Sequence, residues 1–181
     1  MLGFRIFLIQ TYSIRDVHYY NDCTSNTVED YFDVPSVVKT PSIYGFSSDG
    51  WRFGNASSYS RIIGIEKLSD WFNVEFTITE MGSTNNNHLV HSIYSNGSTP
   101  NASVYYNPTT RTWQIGSSNV TQTLSMGTRV RIEWRSGTVK VYLNDVLLGT
   151  GTHSVTLPTQ VEYHTGTNRY VCIKDLVIET L

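Results

Sequence analysis

The stretch FNVEFTITEM (72–81) alternates apolar and polar residues, and the same alternation returns along most of the chain. Val74, Phe76 and Ile78 share one parity; Asn73, Glu75, Thr77 and Thr79 share the other. A period of two puts one set on a buried face and the other toward solvent. No window holds the i, i+3, i+4, i+7 apolar stripe of a helix for three turns, and Ile63 to Asp70 offers one turn at most. The chain is therefore expected to be all-β.

Further strands follow the same logic. HLVHSIYS (88–95) comes after the polar turn GSTNNN (82–87), and SVYYN (103–107) and TWQIG (112–116) flank a turn containing Pro108. RVRIEWR (129–135), TVKVYL (138–143) and VLLGTG (146–151) read as a meander. Its turns, Ser136-Gly137 and Asn144-Asp145, have the chemistry of tight hairpins. SVTL (154–157), QVEYH (160–164) and YVCIKDLVIETL (170–181) complete the series. In the last, the apolar phase slips between Ile173 and Leu176, which predicts a bulge near Lys174-Asp175. This amounts to about ten to fourteen short antiparallel strands, the signature of a sandwich or barrel. At 181 residues the chain suits one domain. Residues 1–15 read as an N-terminal strand or stem, and 16–181 as the domain.

Charge is sparse, at 15% of residues with a net of −2, and the basic residues are scattered. That excludes a phosphate-tracking surface and so a nucleic-acid partner. Arg129, Arg131 and Arg135 share one parity and are expected to solvate one face of their strand. The longest apolar run, IFLI (6–9), falls far short of the ~18 residues of a membrane helix, so no membrane insertion is expected. The first residues, MLGFRIFLIQTYS, lack a small-residue cleavage site and read as a stem, not a signal peptide. The sequons at Asn55, Asn96, Asn101 and Asn119 read as products of an Asn/Ser/Thr-rich composition. Cys23 and Cys172 are either one disulfide, if the terminal strands lie side by side, or two buried free thiols. Neither has a Cys or His partner at ligand spacing. His88 and His91 are three apart and face opposite ways, so no metal site is expected. Asp22 and Asp49 are oxygen ligands that calcium could use, but no Asp-rich loop surrounds them.

The order of features resembles a family. NDCTSNTVEDYFDV (21–34) precedes SSDGWRF (47–53), then WFNVEFTITE (71–80), RVRIEWRSGTVKVYLNDVLL (129–148) and RYVCIKDLVI (169–178). This arrangement resembles the concanavalin A-like lectin/glucanase domains, in particular laminin-G-like jelly rolls and those of phage and prokaryotic virus tail or surface proteins. The resemblance implies a jelly-roll sandwich of two curved antiparallel sheets, with first and last strands adjacent and Cys23 near Cys172. It also implies a carbohydrate groove on the concave sheet.

The laminarinase-like glycosidases of that family carry Glu-X-Asp-X-X-Glu on one strand, and Glu75, Thr77 and Glu80 fall on those spacings. Thr77 replaces the central Asp that separates the two carboxyl pKa values. On an unbroken strand, residues five apart point to opposite faces, so Glu75 and Glu80 converge only across a bulge. No sequence signal announces one, and no catalytic residue is assigned. Sugar binding instead needs aromatic faces ringed by polar groups. The candidates are Trp51, Asn73, Glu75, His91, Tyr94, Tyr106, Arg111 and Trp113. Trp134, in phase with Val130 and Ile132, is expected in the core.

The chain is thus expected to be a non-catalytic carbohydrate-binding or adhesion module without a cofactor. Its partner is expected to be a cell-surface glycan, met at a virion or extracellular surface. By resemblance it would form the receptor-binding tip of a viral tail fibre or spike, as a trimer. A decoration or assembly domain without a groove is the alternative.

Overall fold

A computed structural model of the chain describes residues 16–34, 39, 44–55, 62–64, 71–82, 89–94, 102–158, 160–165 and 169–180. The strands are β1 (Asp16–Asn21), β2 (Phe32–Asp33), β3 (Gly45–Ser47), β4 (Gly50–Asn55), β5 (Ile62–Gly64), β6 (Phe72–Gly82), β7 (Leu89–Tyr94) and β8 (Ala102–Asn107). They continue with β9 (Thr112–Ile115), β10 (Ser118–Thr121), β11 (Arg129–Arg135), β12 (Thr138–Leu143), β13 (Val146–Thr152), β14 (Gln160–His164) and β15 (Arg169–Thr180). A 3-10 turn, Asn26–Asp30, follows β1. Fifteen strands among the described residues slightly exceed the expected number, because β10 and the short β2, β3 and β5 carry little pattern of their own. The expected strand at Ser154–Leu157 is irregular instead. The turn Ile63 to Asp70 lies largely outside the described residues, and its start is strand β5.

The first sheet has the order β13-β12-β11-β6-β15-β4-β3, with β1 also paired to β15. The second has the order β10-β9-β8-β7-β14-β5-β2. All pairings are antiparallel. The inner faces meet in one core containing Trp51, Phe53, Phe72, Phe76, Trp113, Trp134 and Tyr163. Trp134 is there as its phase requires. Burying such aromatic side chains dominates the energetics of a sandwich this size.

Strand β15 organises the first sheet. β6 runs along one edge of it, while β4 pairs with Arg169–Ile173 and β1 with Leu176–Thr180 on the other. The register of β15 against β6 shifts between Lys174 and Val177, and Asp175 adopts φ 53°. The expected bulge is therefore real, and it sits where the outer partner changes from β4 to β1. First and last strands are adjacent, as the resemblance implied.

The hairpin turns also match. Asn144 and Asp145 both have positive φ, as a two-residue turn of this twist requires. At the β13 edge the two sheets close on each other. A Cβ on Gly151 would lie 1.6 Å from the Ile115 carbonyl oxygen, so only glycine admits this crossing. Ser117 N donates to Thr152 O across it at 3.2 Å.

Candidate functional site

The outer face of the first sheet follows directly from parity. Phe72, Val74, Phe76 and Ile78 point inward, which leaves Asn73, Glu75, Thr77 and Thr79 outside. Between Ile78 and Glu80 the register against β15 shifts: Ile173 faces Ile78, and the next residue back, Cys172, faces Glu80. Thr79 is the extra residue, and its hydroxyl donates to Asp49 O at 2.6 Å. A bulge absent from the sequence signals thus exists. It returns Glu80 to the face that carries Glu75 and Thr77.

The two glutamates nevertheless point into different neighbourhoods. Glu75 meets Arg129 of β11 at 3.4 Å, on one side of β6. Glu80 accepts hydrogen bonds from Arg52 of β4 and from Tyr170 of β15 at 2.7 Å, on the other side. The Tyr170 hydrogen bond holds the Glu80 carboxyl below the usual glutamate range; burial opposes this, and Arg52 adds to it. A general acid needs the reverse shift.

The same arrangement of three side chains occurs twice on this face. Arg131 hydrogen-bonds Glu133, Tyr142 donates its hydroxyl to the same carboxylate at 3.3 Å, and the Arg131 guanidinium stands 4.0 Å from the Tyr142 ring centroid. Arg52 hydrogen-bonds Glu80, Tyr170 donates to Glu80, and the Arg52 guanidinium stands 4.7 Å from the Tyr170 ring centroid. In each, a carboxylate fixes both a cation and a phenol, and the cation lies on the ring. The alternation places the members: Arg131 and Glu133 are two apart on β11, and Arg131 faces Tyr142 across the β11–β12 pairing. Arg52 and Glu80 both face Cys172. Such triads offer oriented N–H donors, carboxylate acceptors and a planar apolar surface, all held in place before any ligand arrives.

The residues chosen from the sequence fare differently. Trp51, His91, Tyr106 and Trp113 are core side chains and cannot line a groove. Trp113 packs at a tilt against Tyr106, whose hydroxyl accepts from Leu124 N at 3.2 Å. His91 lies between Trp134 and Tyr163, accepts the Trp134 indole N–H at 3.3 Å, and is pushed by burial to a pKa of about 3. Asn73 is on the outer face but covered, accepting from Arg135 at 3.1 Å. Arg111 is exposed in the β8–β9 turn at φ 55°, away from the first sheet. Tyr94 ends β7, and its side chain is outside the described residues, as is His88. Glu75 alone of the eight sits on the candidate face in half-exposed form. Arg52, Arg131, Glu133, Tyr142 and Tyr170 were missed. They sit on polar phases, but their convergence depends on register between strands far apart in sequence.

The cysteines are free, and no disulfide forms. Cys23 lies in the core, with its thiol donating to Asn21 O at 3.5 Å. Cys172 lies on the opposite face of β15 and donates to Asp49 O at 3.5 Å. Cys23 lies just past the end of β1 and faces the core, whereas Cys172 faces Asp49 on the other side of β15, so the two thiols do not meet. Among the described residues no group of three or more His, Cys, Asp or Glu could hold a metal ion.

Cavities lined by described residues include one at an edge of the sandwich and one beside Arg52. A cleft of about 540 Å³ opens at the sandwich edge between β10 and β13, lined by Val120, Gln122, Leu143, Asn144, Val146 and Leu148 among others, without an aromatic or charged wall. A smaller one, about 210 Å³, is bounded by Tyr44, Gly45, Phe46, Ser47 and Arg52.

No family model and no curated protein matches the chain. Solved structures do match in shape. A Bacillus subtilis protein of unknown function with a galectin-like fold superposes with a TM-score of 0.67 at 9% identity, covering 91% of this chain and 96% of that one. The Crh5 transglycosylase in complex with NAG gives 0.63 at 10% identity, covering 92% and 86%. The chain has a concanavalin A-like jelly-roll sandwich fold. A sialidase matches with a TM-score of 0.59 at 13% identity over 72% of this chain, which spans only 15% of that protein.

Proposed function

We propose that this domain is a non-catalytic carbohydrate-binding module and that the outer face of the first sheet is its binding surface. The observation that carries the reading is the repeated Arg–Glu–Tyr triad. A pyranose presents hydroxyls at its rim and C–H groups on its face, and each triad answers both, with guanidinium and carboxylate beside a tyrosine ring. The fold is compatible, being shared with a protein of unknown function that has a galectin-like fold and with a transglycosylase solved in complex with NAG. Fold alone does not give function, so the triads bear the weight.

The domain does not act as a glycosidase in this reading. Glu80 is held ionised by Tyr170 and Arg52, Glu75 is directed toward Arg129, and Thr77 stands where the laminarinase-like pattern has Asp. In its biological setting the module is displayed on a virion or extracellular surface and meets a cell-surface glycan, as the receptor-binding tip of a tail fibre or spike would.

The test is binding of the purified chain to a panel of glycans and microbial surface polysaccharides at near-physiological salt. Saturable binding to one class, weakened by Tyr142→Ala, is expected, with no release of reducing ends from β-glucans. No binding across a broad panel would point to an assembly or decoration domain, and steady hydrolysis would restore Glu75 and Glu80 as catalytic carboxylates.

A further inference from the structure

The registers of the first sheet bring one outward residue from each of six strands into line. Tyr20 of β1 faces Val177 of β15, Val177 faces Glu75 of β6, and Glu75 faces Arg131 of β11. Arg131 faces Tyr142 of β12, and Tyr142 faces Leu147 of β13. Parity fixes the side on which they stand. Glu75 lies between Val74 and Phe76, Arg131 between Val130 and Ile132, and Val177 between Leu176 and Ile178, all of them core residues. Tyr142 follows Val141 of the core, and Tyr20 follows Tyr19, whose ring stacks on Tyr31 at the core. A strand neighbour of a core residue points the other way. The bulge at Asp175 is part of this arrangement, because it lets Lys174 and Val177, three positions apart, both face outward.

The resulting row crosses the strands, with apolar groups toward its ends and polar ones in its middle. Tyr20 is 60% exposed and is the one exposed aromatic side chain among the described residues. At the other end Tyr142 is held by Arg131 and Glu133, and Leu147 beyond it is 50% exposed. Between the two rings lie the Arg131 guanidinium, the Glu75 carboxylate and Val177. Neighbouring strands stand ~4.8 Å apart, so four spacings separate the tyrosines by roughly 19 Å. A single sugar ring does not reach both. An exposed tyrosine alone is ordinary on a surface. Its alignment with Tyr142 across intervening donors and acceptors is what a chain of sugars would use.

We propose that Tyr20 is a second aromatic platform of the binding face, and that the ligand is a linear glycan lying across the strands from Tyr142 to Tyr20. The inference rests on the carbohydrate-binding reading and adds the form of the ligand: it is recognised along its chain, not at one terminal residue. A sugar near each end of the bound stretch lays its C–H face on a tyrosine. Arg131 and Glu75 supply hydrogen-bond donors and acceptors to the hydroxyls of the units between.

The experiment is calorimetric titration of the full chain with linear oligosaccharides, from disaccharide to hexasaccharide, of β-1,3-linked glucose, β-1,4-linked glucose and β-1,4-linked N-acetylglucosamine. In at least one series the hexasaccharide should bind about tenfold more tightly than the disaccharide. Tyr20→Ala should remove that gain and leave the disaccharide unaffected, because the shorter ligand is held at the Tyr142 triad. Tyr20→Phe keeps the ring and should bind the hexasaccharide as the parent chain does. Tyr20 is exposed, so both variants should melt with the parent. Equal affinity for short and long chains in every series that binds, or an undiminished hexasaccharide affinity in Tyr20→Ala, overturns the extended row and leaves the carbohydrate reading standing. Binding of other glycans with no response to any of these linear chains does the same. Failure of every glycan, linear or branched, removes both.

Discussion

The Arg52 guanidinium lies 4.7 Å from the centroid of the Tyr170 ring, and both side chains are hydrogen-bonded to Glu80. Arg52 and Tyr170 stand on the paired strands β4 and β15, and Glu80 reaches them from β6, which carries an extra residue at Thr79. Without that bulge Glu80 would point into the core, and the triad would not form. The tyrosine ring itself requires Gly82 opposite it, where a Cβ would come 2.0 Å from Tyr170 Cε1. A backbone irregularity and a missing side chain thus set up the chemistry of this end of the face.

Glu80 should show its role through pH. Its folded pKa lies below the ordinary value of ~4.3, so its contribution is complete above that value and is lost as pH falls through the depressed one. Glu80 is well exposed, which limits the effect to about 1 kcal/mol or less. Chemical denaturation of Glu80→Gln should show a small deficit against the parent chain at pH 7 that vanishes once the pH falls below the depressed pKa. A deficit independent of pH would mean that Glu80 acts by packing, not by charge.

Arg131 should discriminate between charge and geometry. Lysine keeps the cation but loses the flat fork that stacks on Tyr142. Arg131→Lys should weaken glycan binding about tenfold, equivalent to ~1.4 kcal/mol. Calorimetric titration of both proteins, with melting curves alongside, would check this. Undiminished affinity would move the binding surface away from β11.

His91 sets a different pH window. Burial alone lowers its pKa from about 6.5 to about 3, so the unfolded chain takes up a proton that the folded chain refuses. Stability is therefore full above pH ~6.5 and falls toward pH 3, by as much as ~1.4 kcal/mol per pH unit. His91→Phe should flatten this slope. It should also cost about 1–3 kcal/mol at neutral pH, because the Trp134 indole N–H loses its acceptor. Urea titrations across the window would reveal either effect.

The fold was legible where period two was strong. Phe72 to Ile78, the β11–β12–β13 meander and the slip at Lys174-Asp175 each appear in the structure as their patterns require. The site was legible only in part, since a parity reading assigns a face within one strand but not the neighbours on the next. Arg131 was visible as an outward residue, whereas its meeting with Tyr142 depends on how β12 folds back. Aromatic type misled most. Trp51, Trp113 and Tyr106 have the rings a sugar needs, but on inner phases they fill the core. Thr79 escaped notice because a bulged Thr and a regular strand Thr look alike in sequence.

Gly151 is expected to be intolerant of any side chain. Even a methyl group would meet the Ile115 carbonyl, and Gly149 would press on Val120 Cγ2 at 2.8 Å. Gly151→Ala should destabilise by about 3 kcal/mol or more, a drop of roughly 6–12 °C in Tm. Gly149→Ala should cost less, because a side-chain methyl yields where a backbone carbonyl does not. Equal melting temperatures for the two variants would show that the sheets do not close at this edge.

Cys23 and Cys172 should behave as two unreactive thiols. Burial pushes the Cys23 thiol up to about 12 and raises that of Cys172 as well, so neither supplies much thiolate at neutral pH. A thiol-specific reagent should label almost nothing in the native chain within minutes and two groups after denaturation. Reducing agent should leave Tm unchanged. A melting temperature that falls on reduction would mean that the sulfurs had crossed to a common face of β15. That would require Cys23 to leave the core it shares with Leu176 or Cys172 to leave Asp49, and either movement would be visible as a changed near-ultraviolet signal from Trp51.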